Sequence, residues 1–361
     1  MEKVQLKNIC RPKQWKTLTG KNLVPDGKYP VYGANGIIGY YNDYNHENET
    51  LMIGCRGTCG ALNISQPFSY INGNAMALDD LVDDIDIRYL YYALMGRGFQ
   101  DVISGAVQPQ IIRADLEKME VWIGNKKEQK EIVDVFSKLD AVLSHRKREI
   151  QYLDDLIKAR FVEMFESQAW ERVRAGTIML NMRNGVSPSN IGTYPAKVLT
   201  LSAITQGGFN PDSWKDGMFD VDPPLEKRVT ASDFYMCRGN GNKKLVGVGV
   251  YSKEDRYDLI FPDTAIAATI DLHRICLPYL FYAWQQPFVR KQIEAGARTT
   301  NGTYKINQGV VSNIELALPP LKLQKQFAAF VAAIDKSKAT VQKALDETQL
   351  LFDSLMQQYF G

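Results

Sequence analysis

The chain has 361 residues, 45% hydrophobic and 23% charged, a balance that excludes wholesale disorder, a collagen-like repeat and a disulfide mini-scaffold, and its length suggests two domains. Lys and Arg number 43 against 41 Asp and Glu, and this near-neutral balance is less basic than is usual for a compact nucleic-acid domain. No apolar run reaches the ~18 residues of a membrane span, MEKVQLKNICRPK at the start lacks the apolar core of a signal peptide, and an odd count of five cysteines points to a reducing compartment and a cytoplasmic location.

Along the chain, residues 1–28 carry seven bases (Lys3, Lys7, Arg11, Lys13, Lys16, Lys21, Lys28) against Glu2 and Asp26. Residues 79–86, DDLVDDID, carry five aspartates and no base. Such segregation is expected when one face meets a polyanion, and ordinary solvated faces also produce it. The first 125 residues otherwise read as short β-like runs broken by Gly, Asn and Pro turns, such as YPVYGANGIIGYYN. From Lys126 to about Phe165 the chain has neither glycine nor proline.

That plan then occurs a second time. Adding 195 takes Ile111 to Ile306, Leu116 to Val311, Met119 to Ile314, Glu120 to Glu315, Val121 to Leu316, Gln129 to Gln324, Ile132 to Phe327, Phe136 to Val331 and Asp140 to Asp335. Upstream, RYLYYAL (88–94) matches PYLFYAW (278–284) at an offset of 190, and CRG (55–57) matches CRG (237–239) at 182. Three blocks in conserved order indicate a duplicated domain, each copy large enough for its own core.

The long stretches carry apolar residues at alternating steps of four and three: Ile132, Phe136, Leu139, Leu143, Ile150, Leu153 and Ile157, with Met164, in the first, and Phe327, Val331, Ile334, Val341, Leu345, Phe352 and Leu355, with Tyr359, in the second. Arg146, Arg160, Lys338 and Thr348 fall on the same stripe. This is heptad spacing, and it predicts two long helices that bury their stripes against each other, the polar positions fixing register. The alternative is that each helix packs on its own globular domain. An antiparallel pair makes a ruler, with two heads able to read two half-sites of a duplex a set gap apart. Residues 29–50 and 194–215 share little beyond Tyr-Pro, so the two heads are expected to read different sequences.

These residues resemble the specificity (S) subunits of type I restriction-modification systems over nearly the whole chain. The resemblance rests on GAVQPQIIRADLEKMEVWI (105–123), KKEQKEIVDVFSKLDAVL (126–143) and LDDLIKARFVEMF (153–165), with IELALPPLKLQKQFAAFVAAID (314–335) and FDSLMQQYF (352–360) as counterparts. The second copy departs in having Leu323 where the first has Glu128, and the first lacks the Pro319-Pro320 pair. The resemblance implies an α+β fold in which two mixed α/β target-recognition domains are joined by two long helices paired as an antiparallel coiled coil, a pseudo-two-fold internal repeat. Residues 1–125 would be the first target-recognition domain, 126–166 the central spacer, 167–318 the second domain and 319–361 the C-terminal spacer. It implies a non-catalytic chain that binds double-stranded DNA and docks two modification (adenine methyltransferase) subunits and restriction (ATP-dependent translocase/nuclease) subunits. AdoMet, ATP and Mg are then expected on those partners, with no cofactor on this chain.

Motifs for catalysis are incomplete. Asp222-Pro223-Pro224-Leu225 has leucine where an amino-methyltransferase motif needs an aromatic residue, and no Gly-rich AdoMet loop accompanies it. Gly239-Asn240-Gly241 and Gly247-Val248-Gly249 lack the third glycine of a dinucleotide loop. No GxxxxGK[ST] motif occurs, Cys55 and Cys59 have no second Cys/His pair nearby, and His46, His145 and His273 are scattered. No metal site is therefore expected.

Sequence readout needs Arg, Lys, Asn, Gln, Ser or Thr at base edges, with cations and backbone amides on phosphates. Candidates lie in Gly-flanked segments, where backbone can approach DNA. In the first copy they are Asn35, Arg56, Thr58, Asn72, Asn74, Gln108, Gln110 and Arg113. In the second they are Arg238, Asn240, Asn242, Lys243, Arg298, Thr299, Asn301 and Lys305. Because Arg56 and Arg238 recur in heads expected to read different sequences, a phosphate contact or a turn-anchoring role is favoured over base reading. Two other readings compete: a coiled-coil adaptor with non-DNA ligands, which the near-zero net charge favours, and a recognition module of another restriction-modification class.

Overall fold

The computed structural model describes every residue except Ala106 and Asn301. The chain divides into two compact units, Met1–Glu149 with Val341–Gly361, and Ile150–Thr340.

In the first unit a four-stranded antiparallel sheet runs in the order Arg11–Gln14, Ala75–Asp79, Leu51–Gly54, Leu62–Ile64. Its two central strands, AMALD and LMIG, are apolar on both faces because both faces are covered. The pleat sends Leu51, Ile53, Met76 and Leu78 into a large core with the helix Ile87–Arg97. Met52, Ala75 and Ala77 point the other way, onto Tyr32 and Ile71 of a three-stranded sheet formed by Gly36–Tyr41, Tyr29–Gly33 and Tyr70–Ile71.

The second unit repeats this plan. Its main sheet runs Met179–Asn184, Ala265–Ile270, Asp233–Cys237, Gly249–Tyr251. Phe234, Met236, Ile266 and Ala268 face the core shared with the helix Leu277–Trp284, while Tyr235, Cys237, Ala265 and Ala267 face the other side. Tyr29-Pro30 and Tyr194-Pro195 each open a strand that pairs antiparallel with its hairpin neighbour and parallel with a later strand. Segments 29–50 and 194–215 thus differ in sequence but start the same chain path.

The duplication is also visible in hydrogen bonds. Gln129, buried at the start of the first long helix, donates from Nε2 to the Asp84 and Gly124 carbonyls and accepts from the Asp86 amide. Gln324 does the same with Arg274, Pro319 and Cys276. Tyr89 and Tyr279 donate to the Trp122 and Ala317 carbonyls, at 2.8 and 2.9 Å. Each glutamine is itself buried and satisfies polar groups at two helix starts, so Gln129→Ala and Gln324→Ala are each expected to cost about 2–3 kcal/mol. Chemical denaturation should show this as a lower midpoint at unchanged slope, while Lys130→Ala, an exposed neighbour, should change stability by less than about 0.5 kcal/mol.

The long helices span Lys126–Phe165 and Leu321–Phe360, 40 residues each. In the first unit Phe136 places its ring 5.1 Å from Phe352, 6.0 Å from Tyr359 and 6.2 Å from Phe360. In the second, Phe161 and Phe165 lie 5.5 and 5.6 Å from Phe327, and Lys338 is ion-paired with Asp154. The start of one helix meets the end of the other in the first unit and the reverse holds in the second, so the pair is antiparallel. Ile132, Phe136, Leu143, Ile157, Phe327, Val331 and Phe352 are buried, whereas Leu139, Ile150, Leu153, Ile334, Val341, Leu345 and Leu355 are half-buried. The helix ends also join the unit cores, beside Leu90 in one and Leu280 in the other. Helix-on-helix and helix-on-head packing therefore coexist. Toward the ends the stripe drifts: Phe161, Phe165, Met356 and Phe360 are buried while Met164 and Tyr359 are only half-buried, because 3.6 residues per turn does not hold a strict seven-residue repeat.

Candidate DNA interface

In the first unit the chain leaves the strand Leu51–Gly54 through Cys55, Arg56 and Gly57. The amides of Cys55 and Arg56 both donate to the Asn74 carbonyl, at 2.9 and 3.2 Å, and the Ile111 amide donates to the Cys55 carbonyl at 3.1 Å. Arg56 forms an isolated bridge with Gln110. Gly54 permits this crowding, since a Cβ there would lie 2.3 Å from the Thr58 carbonyl oxygen and 2.5 Å from that of Ala34. The turn bearing Asn35 therefore closes on the CRG segment. Asn35, Arg56, Thr58, Asn74, Gln108, Gln110 and Arg113 are exposed. Arg56 and Arg113, with Gln110, line a concavity of about 430 Å³ together with Lys13 and Gln14. The latter two were not among the sequence candidates, although Lys13 belongs to the basic run in residues 1–28. Asn72 is different: it is 1% exposed, its Oδ1 accepts from the Leu18 and Gly73 amides and its Nδ2 donates to the Leu18 carbonyl. It ties a loop to the sheet and presents nothing to a ligand.

In the second unit the corresponding segments form a small three-stranded ribbon, Gly239–Asn240, Thr303–Lys305 and Arg298–Thr300. Lys305 pairs with both Gly239 and Arg298, and Tyr304 with both Asn240 and Thr299. Arg298, Thr299, Lys305, Asn242 and Lys243 are exposed and Asn240 is half-buried. Asn240 Oδ1 accepts from the Asn242 amide at 2.8 Å, and Asn242 Oδ1 from the Lys244 amide at 3.0 Å, so these side chains shape their own turn. Arg290 holds that turn by donating to the Lys244 and Val246 carbonyls, both at 3.0 Å. Lys243 Nζ lies 5.9 Å from the Tyr304 ring centre. Asn301 lies outside the described residues.

The two Cys-Arg-Gly segments are not equivalent in space, which corrects the offset of 182. Gly54 pairs with Ala75, donates to the Ala61 carbonyl and accepts from Gly60. Cys237 pairs with Ala265, donates to the Val248 carbonyl and accepts from Gly247. Gly54 therefore matches Cys237, Cys55 matches Arg238 and Arg56 matches Gly239. Arg238 points inward, donating from Nη1 to the Asp263 carbonyl at 3.1 Å. Cys55 Sγ points at the matching Gly73 carbonyl, 3.8 Å away. Burial pushes the Cys237 thiol up to about 11 and the Cys55 thiol upward as well, so both stay neutral fillers rather than nucleophiles.

Among the described residues no group of three or more His, Cys, Asp or Glu could hold a metal ion, and no helix is long and apolar enough to cross a membrane. Exposed cations and amides on turn-rich edges can instead engage phosphates and base edges.

Residues 1–152 match the family model for the type I restriction modification DNA specificity domain. The whole chain also superposes on 96% of a type I restriction-modification S subunit from M. genitalium, with a TM-score of 0.64 and 18% identity. It is 25% identical over 115 residues, 32% of the chain, to the specificity subunit of the type I restriction enzyme EcoprrI from Escherichia coli. Residues 1–152 are thus similar to the type I restriction-modification DNA specificity domain, and the chain as a whole shares the fold of an S subunit. A second relative is the EcoKI specificity subunit of E. coli, 24% identical over 200 residues, 54% of the chain. The matched stretches cover 28% and 42% of those two relatives' own lengths. A second solved structure, from work on complex assembly and conformational transition of the type I R-M system, shares the fold over 99% of this chain and 96% of its own, with a TM-score of 0.56 and 13% identity.

Proposed function

We propose that this chain is the non-catalytic DNA-recognition subunit of a type I restriction-modification complex, acting in the cytoplasm, with each unit reading one half of a split site. Adenine methylation and ATP-dependent cleavage belong to docked modification and restriction subunits, which carry AdoMet, ATP and Mg. One observation carries this reading: the buried bonds of Gln129 and Gln324, and of Tyr89 and Tyr279, are the same in both units, while the exposed turn-rich edges of the two units carry different residues. A shared scaffold with unlike faces suits two readers of unlike sequences. In the first unit the reading edge comprises Asn35, Thr58, Asn74, Gln108 and Gln110. In the second it is the ribbon with Arg298, Thr299 and Lys305, flanked by Lys243.

Duplex affinity that falls at least about tenfold between 50 and 200 mM salt is expected, because several phosphates are neutralised. An adaptor with other ligands, the reading that the net charge of +2 favours, would show duplex binding that is absent or indifferent to salt.

A further inference from the structure

The one-residue shift between the two CRG segments gives the units different exposed cations. In the first unit the Gly73 carbonyl is satisfied by Gln14 Nε2, from the strand beside it. The matching strand position in the second unit is Asn184, because Gln14 pairs with Met76 and Asn184 with Ile266. Asparagine is one methylene shorter, and Arg238 serves the matching Asp263 carbonyl instead. The first unit therefore has no internal task for an arginine here, and its own falls one residue later, at Arg56. Among the described residues Arg56 makes no side-chain hydrogen bond or ion pair, and it is exposed on the concavity that Lys13 and Arg113 also line.

The other two cations also lack free counterparts. Lys13 matches Arg183, since they pair with Ala77 and Ala267, but Arg183 is consumed by the buried Asp233 carboxylate. Arg113, two residues after Ile111, matches Gln308. In the first unit Lys13 has no carboxylate partner among the described residues and lies 3.4 Å from the Trp15 ring centre, and only Arg113 is paired, to Glu117 at 2.6 Å. The cradle thus keeps a net positive charge; of its counterparts, Gly239, Arg183 and Gln308 present no free cation, and the one exposed cation there is Lys305, at the position of Gln110. On the second unit's ribbon the exposed cations are Arg298 and Lys305.

We propose that Arg56, with Lys13 and Arg113 beside it, forms a DNA phosphodiester-binding cradle in the first unit whose counterpart in the second unit rests on Lys305 alone, so that the two units grip the backbone with different residues. This rests on the DNA-recognition reading above. A phosphate contact is favoured over a base contact because two guanidinium groups, those of Arg56 and Arg113, share one concavity, which suits a delocalised anion, and no carboxamide in it is free to read an adenine except Gln110.

The test compares duplex binding by the full chain, alone and with its modification partner, for the unaltered protein, Arg56→Ala and Arg56→Lys, on a cognate and an unrelated duplex across a salt series. Arg56→Ala should weaken both duplexes by the same factor, roughly tenfold, and reduce the salt slope by about one. Arg56→Lys should restore most of the affinity, since a point charge satisfies phosphate but not a bidentate base contact. An unchanged slope in Arg56→Ala, or a loss confined to the cognate duplex that lysine does not restore, would overturn the cradle. Failure of the unaltered chain to bind either duplex under any of these conditions would overturn the DNA-recognition reading itself.

Discussion

Replacing Phe136 by alanine is expected to lower the stability of the first unit by about 3–5 kcal/mol. The ring is fully buried and is surrounded by aromatics: Tyr92 stacks on it at 5.0 Å, and Phe352, Tyr359 and Phe360 meet it from the other long helix. Removing it leaves a cavity that these rigid rings cannot close without leaving their own contacts. The loss is shared because Phe136, Phe352 and Phe360 belong to one core with Leu6, Leu51 and Leu90. Hydrogen exchange should therefore show amides of residues 1–149 and 341–361 losing protection together. Loss confined to the central helix would contradict a core built jointly from helix ends and head. Phe327→Ala should act in the same way on the second unit, where Phe161, Phe165 and Tyr282 surround it.

Exchanging residues 1–125 for the matching part of a family relative should change one half of the modified DNA site and leave the other half as it was. The reason lies in how each edge is built. Asn35, Thr58, Gln108 and Gln110 are positioned by strands and turns of the first unit, and the second unit's ribbon closes on its own strands, with Arg290 as its anchor. An exchange that altered both halves of the modified sequence would show that the units do not read independently.

The elements that could be read from the sequence are those the chain states twice. The long helices announce themselves by forty residues without glycine or proline, and the duplication by Gln129 and Gln324, whose spacing survives because each must satisfy the same carbonyls. What could not be read was side-chain direction. Asn72, between two glycine-flanked turns, had the composition of a surface reader, yet its carboxamide is spent on Leu18. The two CRG segments look identical as letters, but a one-residue shift turns Arg238 into a turn anchor and leaves Arg56 facing solvent. Lys13 and Gln14 sit in a strand, where alternation alone does not tell which face borders a concavity. Phe161 and Phe165 escaped a strict heptad count because a straight helix drifts from it.

The claim on which the rest depends is that one scaffold, used twice, presents two different reading edges. Mapping methylated adenines in cells that express this chain with its modification partner tests it most directly. The account predicts a site of two unlike half-sequences separated by a constant gap, one half following residues 1–125 when these are exchanged. A site with two identical halves, or a single uninterrupted sequence, would contradict it.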